Sequence, residues 1–246
     1  MTHLVRIALL AVAGAFVVVP HDALVAQSAR PTVAIMYFNN NVFTKDARDY
    51  DGLSKGVPDF LITEMSANQA IRVVERDQVQ RLIDEQKLVG AGQVDRETAV
   101  KVGKLLGAQH MIFGGFMADP KGNFRIDARA VNVETGAIEF TDRVQDRSDN
   151  VLGLISQLAT RLNAGLKLPG ASTRTGDASA PAGAQQAGAP TATKLPMRLA
   201  VLYGKALDMA DKGDKARAVE LFSAVLKEFP DYTPARTGMA KVKPGA

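Results

Sequence analysis

The sequence predicts an α/β (α+β) fold: a mixed sheet with packed helices in the order β-α-β-α-α-β-β-β-α, followed by a small C-terminal α-hairpin. Three observations carry that prediction. Short apolar runs rich in β-branched and aromatic residues alternate with segments of helical apolar spacing through residues 30–168. The last three strand-like runs of that stretch are joined only by turn chemistry, which makes an antiparallel meander. A tract of Ala, Gly, Pro, Ser, Thr and Gln over residues 169–195 then separates this domain from two amphipathic segments within residues 196–243.

The first strand is "TVAIMYF" (residues 32–38), and "NNNVFTKDARDYDG" is the polar loop after it. In residues 56–68, Val57, Phe60, Leu61 and Met65 fall at helical spacing, with Pro58 expected in the first turn, where its missing N–H costs nothing. "IRVVERDQVQRLIDEQKL" (residues 71–88) divides in two. Residues 71–74 form a short strand, and Val79, Leu82, Ile83 and Gln86 give one apolar stripe of a helix. Glu75 and Asp77 then stand at that helix's N-terminus and Lys87 at its C-terminus, where the helix dipole favours them. These charges are expected at helix ends and on the solvent face.

"VGAGQVD" reads as a turn, and Asp95 as the N-cap of a helix whose stripe is Ala99, Val102 and Leu106. "QHMIFGGFMA" is a central strand, in which Gly114 and Gly115 mark a bulge or a close backbone approach. "DPKGN" turns the chain into a strand that alternates Phe124, Ile126, Ala128 and Ala130 with Arg125, Asp127 and Arg129. "ETGA" leads to the last strand, at residues 137–144. A helix over residues 149–166 closes the domain through Val151, Leu152, Ile155, Leu158 and Leu162. Beyond the linker, helices over residues 197–212 and 215–228 flank "KGDK", and "TPARTGMAKV" suits a capping helix. Ala206, Ala218, Phe222 and Pro230, with Gly213-Asp214 in the turn, resemble one tetratricopeptide unit. A single such unit cannot bury its own faces, so it is expected to pack on the first domain, a partner or another copy.

Composition sets limits on function. The chain has 246 residues, 46% hydrophobic and 23% charged, and no cysteine, which removes disulfides, thiolate metal sites and a lipidated cysteine. The net charge of +4 comes from scattered Lys and Arg, which argues against a nucleic-acid partner. A polar start, an apolar run over residues 7–19 and Ala26 before the cleavage point read as a signal peptide over residues 1–26. That run is shorter than the roughly 20 residues a membrane-spanning helix needs. Export to the periplasm follows, with at most peripheral association with the outer membrane.

No catalytic constellation emerges. His110 has no partner close to it in sequence, Arg125, Asp127 and Arg129 suit a solvated strand face, and "VGAGQVD" lacks the rest of a phosphate-binding loop. No cofactor is expected.

Taken in order, "VAIMYF", "GVPDFLITEM", "VVERDQVQRLIDEQ", "AVKVGKLLGA" and "VNVETG" resemble the periplasmic domain of the curli-secretion channel family, the CsgG-like proteins, over about residues 31–166. The resemblance implies an α/β periplasmic domain. Channel-forming members are lipoproteins whose subunits assemble in rings and each contribute two β-hairpins to a barrel. This chain lacks both the lipidated cysteine and room for such hairpins, since transmembrane strands need about 9–11 residues each. The expected function is therefore a non-enzymatic, exported interaction or scaffold module. Its partners would be envelope proteins, with homo-oligomerisation left open, and Tyr203, Leu207 and Ala210 would line the protein-binding concave side of the hairpin. A ring or channel subunit, and a hydrolase centred on His110, are the rival readings.

Overall fold

The computed structural model describes residues 30–86, 94–119, 121–147, 149–171 and 195–243. The expected leader, most of the linker, Lys87 and the first part of "VGAGQVD" lie outside those residues. Five strands form one sheet: β1 (Thr32–Asn40), β2 (Arg72–Val73), β3 (His110–Ala118), β4 (Asn123–Asn132) and β5 (Ile138–Arg147). Their spatial order is β2-β1-β3-β4-β5, parallel across β2-β1-β3 and antiparallel across β3-β4-β5. With α1 (Leu53–Ser66), α2 (Arg76–Gln86), α3 (Arg96–Leu106) and α4 (Val151–Gly165), the chain order is the expected one.

The alternation of side chains along each strand divides the core in two. Val33, Ile35, Ile112, Phe116, Phe124 and Ile126 point to the face covered by α1 and α4. Ala34, Met36, Met111, Phe113, Val131 and Val133 point to the face covered by α2 and α3. The expected alternation in β4 holds, since Phe124, Ile126, Ala128 and Ala130 are all fully buried. Gly114 sits opposite a register shift in β1 between Ile35 and Phe38. A Cβ there would lie 2.0 Å from the Asp127 carbonyl oxygen, so both the bulge and the close approach are present.

Three local expectations need correction. Helix α1 begins at Leu53, which places Pro58 inside the helix and not in its first turn. Buried Leu53 and Val57 draw the extra turn into the core, and the proline leaves the Ser54 carbonyl without its i+4 donor. In α2, Gln86 is exposed, while Arg76 and Gln80 join Val79 and Ile83 on the buried side. The charges of that stretch are therefore not all at helix ends or in solvent. In α3, by contrast, Asp95 caps as expected, accepting from the Thr98 backbone N–H at 2.8 Å.

The C-terminal part forms α5 (Met197–Asp211), α6 (Lys215–Glu228) and α7 (Thr233–Val242). Asp214 caps α6 through the Arg217 N–H at 3.0 Å. Ala206, Ala218 and Phe222 are fully buried between the helices. Of the three packing options, the hairpin takes the first domain: α5 lies along α1 and shares its core. Glycines make that approach possible, because a Cβ on Gly204 would lie 1.8 Å from the Gly52 carbonyl oxygen, and one on Gly52 would lie 2.3 Å from that of Val201.

A candidate binding cleft between the domain and the C-terminal helices

Arg76 stands at the start of α2, only 6% exposed, where the end of α5 meets α1. Its guanidinium donates twice to Asp211, from Nη1 to Oδ2 at 2.8 Å and from Nη2 to Oδ1 at 3.1 Å. Nη2 also reaches Asp77 at 3.0 Å, and Nε lies 3.4 Å from Asp59, close enough for ionic attraction but without hydrogen-bond geometry. Lys55 on α1 adds a second cation, 2.7 Å from Asp211 and 3.1 Å from Asp208. Burying a charge is costly, and only such a bidentate pair with further counter-ions offsets it.

The titration behaviour follows this geometry. Burial works against the charge of Arg76, but Asp211 bonded to it, with Asp59 and Asp77 nearby, holds its pKa above the ordinary value. Burial lifts the Asp59 carboxyl above its ordinary range, against the Tyr203 hydroxyl that donates to it at 2.6 Å and the charge of Arg76. For Asp77, partial burial is outweighed by the Lys241 ammonium at 3.0 Å and by Arg76, which together lower its pKa.

Beside this network opens a cleft of about 720 Å³, lined by residues of α1, α2, α4, α5, α6 and α7 and of the turns around them. Phe60, Tyr203 and Tyr232 give it an aromatic wall: Phe60 stacks on Tyr203 at 5.2 Å between ring centroids, and Tyr232 meets Tyr203 edge-on at 5.6 Å. Tyr203, Leu207 and Ala210 all line this space. Tyr203 and Leu207 are buried and Ala210 half-buried, on a side of α5 that faces α1. Its volume falls within the range of concave sites that hold a bound group.

Asp59, Arg76 and Asp211 were not legible as site residues. Arg76 and Asp211 are 135 positions apart, and the charges around Arg76 fit an ordinary helix start. His110 also differs from expectation, because a carboxylate is in reach: its Nδ1 lies 2.7 Å from Glu139, which in turn accepts from Asn132 at 2.9 Å. The partner comes from β5, across an intervening strand. This pair is not part of the cleft. Arg125 donates to Asp127 at 2.7 Å on a sheet face where both stay about one-third exposed, as a solvated strip would be. Among the described residues no cluster of His, Cys, Asp and Glu could hold a metal ion, and no helix is long and apolar enough to cross a membrane.

Residues 21–120 match the family model of the curli production assembly/transport component CsgG. No curated protein matches the chain. Similar solved structures include the LpoB C-terminal domain from Salmonella enterica, at 14% identity and TM-score 0.36 over 48% of this chain and 84% of that one. Lipoprotein GNA1162 from Neisseria meningitidis matches at 12% identity and TM-score 0.38, over 54% and 96% of the two chains. The PelC dodecamer from Paraburkholderia phytofirmans matches at 11% identity and TM-score 0.34, over 56% and 89%.

Proposed function

From the premise of a CsgG-like domain in the N-terminal part of this chain, we propose a non-enzymatic, exported cell-envelope protein that acts as an interaction or scaffold module. The observation that carries this reading is the cleft between the domain and its C-terminal helices. Partner side chains would rest against Tyr203, Leu207 and Ala210, and α7 would form the opposite lip. The ionisable groups beside the cleft favour binding over catalysis, because Arg76, Lys55, Asp59 and Asp211 are committed to one another and to Tyr203.

The connections favour a module without a pore of its own. Between β3 and β4 there are only residues 119–122, and β5 ends at Arg147 with α4 starting at Val151. Neither connection has room for a pair of membrane strands of about 9–11 residues each. Site-specific photo-crosslinking in the cell envelope tests the proposal, with the probe at exposed Thr237 in the cleft and a control probe at exposed Glu97 on α3. Discrete protein adducts at position 237 and none at 97 are the expected result; no adduct at 237, or the same adducts at both, would overturn it.

A further inference from the structure

Six carboxylates and three cationic side chains line the cleft, although the whole chain carries a net charge of +4. The cations are largely engaged: Arg76 is locked to Asp211 and Asp77, and Lys241 to Asp77. At the mouth, Glu64 and Glu75 have no salt-bridge partner among the described residues, while Asp231, fully exposed, pairs with Arg236 at 3.0 Å across a solvated surface where a ligand cation competes on equal terms. The negative field reaches the aromatic wall, where burial together with Asp59 and Glu64 pushes the Tyr232 hydroxyl above its ordinary pKa. Below the acidic mouth lie Phe60, Leu207 and the rings of Tyr203 and Tyr232.

We infer that the cleft's partner is a basic peptide segment carrying an aliphatic or aromatic anchor residue. The inference rests on the binding role proposed above and gives that role a chemistry. The anchor displaces water from the partly exposed ring of Tyr232, at the open edge of an aromatic wall whose other members, Phe60 and Tyr203, are already buried. Lysine or arginine beside it meets Glu64, Glu75 and Asp231 at the rim, and a cation near the face of Tyr232 gains from the ring quadrupole as well. Net charge cannot be the attraction, because a basic ligand is repelled by the molecule as a whole. Recognition is therefore local to this cleft.

Fluorescence anisotropy on the full mature chain, with a short fluorescein-labelled Lys/Leu/Trp peptide as probe, tests it at near-physiological salt. Binding is expected for that peptide, with none for the same peptide with Glu in place of Lys or with Ser in place of Leu and Trp. Glu75→Lys with Asp231→Lys should weaken binding by about tenfold or more, and salt should weaken it in wild type. Both positions are exposed, so folding is not at stake. The matched reversal of Glu85 and Glu97 to Lys, on α2 and α3, should leave affinity unchanged. Equal affinity for the acidic peptide, or equal losses from the two reversals, would overturn the inference. If the photo-crosslinks at Thr237 persist unchanged in Glu75→Lys with Asp231→Lys, the binding role stands and the basic-partner chemistry fails; if Thr237 gives no crosslinks, the binding role itself fails.

Discussion

Two stretches of this chain interleave acid and base and come to opposite ends. "VERD" puts Arg76 and Asp77 at the head of α2, and "RIDAR" puts Arg125, Asp127 and Arg129 along β4. Arg76 is 6% exposed and bound to carboxylates from α1, α2 and α5, whereas Arg125 pairs only with its strand neighbour and remains partly in water. Local sequence does not separate them. The difference is that another element arrives over the first: α5 brings Asp211 onto Arg76, while among the described residues no helix places a charged partner on Arg125. A charge becomes structural when a distant segment buries it with a partner already in place.

The largest effect should come from breaking that buried network. Arg76→Ala leaves Asp211 and Asp59 without their main counter-charge and is expected to cost about 3–5 kcal/mol in urea unfolding. Arg125→Ala, on the solvated strip, should cost less than about 1 kcal/mol. Equal losses would dissolve the contrast.

A smaller effect tests whether α5 is seated as described. Gly204→Ala gains about 1 kcal/mol from helix propensity alone, so a free hairpin would be stabilised by it. In the docked arrangement the new methyl meets the Gly52 backbone, and a net loss of roughly 1–3 kcal/mol is expected, with faster proteolysis of the C-terminal helices. A gain in stability would show that α5 does not sit on Gly52.

The smallest effect is a pH dependence. Asp59 faces Tyr203, Arg76, Asp77 and Lys241, and its folded pKa lies above the unfolded one. The folded state therefore binds this proton more tightly, and the stability linked to it is present below the unfolded pKa and lost as pH rises through the folded one. Other carboxylates titrate alike in wild type and Asp59→Asn. The stability difference between the two should thus move in favour of wild type as pH falls from about 7 to about 4. A flat difference would place Asp59 in an ordinary solvated setting.

Much of the fold was legible because its signals are local. Phenylalanine, isoleucine and alanine at alternate positions mark β4, and Asp95 announces α3 three residues before its side chain is needed. What stayed hidden depends on which elements become neighbours. The His110–Glu139 pair requires knowing that β4 lies between β3 and β5, and the burial of Arg76 requires knowing where α5 docks. Pro58 misled for a related reason: core contacts of Leu53 and Val57 outweighed the usual placement of proline. Tyr203, Leu207 and Ala210 could be put on one side of α5 from the usual geometry of the repeat it resembles, but not against α1.

The contact between Gly52 and Gly204 works like a key in a slot. If α5 slid by one turn, Ala200 or Asp208 would come to the place where not even a methyl group fits, so the helix has a single seat along α1. The width of the cleft is then set at a point outside its lining, and substitutions at these two glycines would reshape a binding surface they never touch.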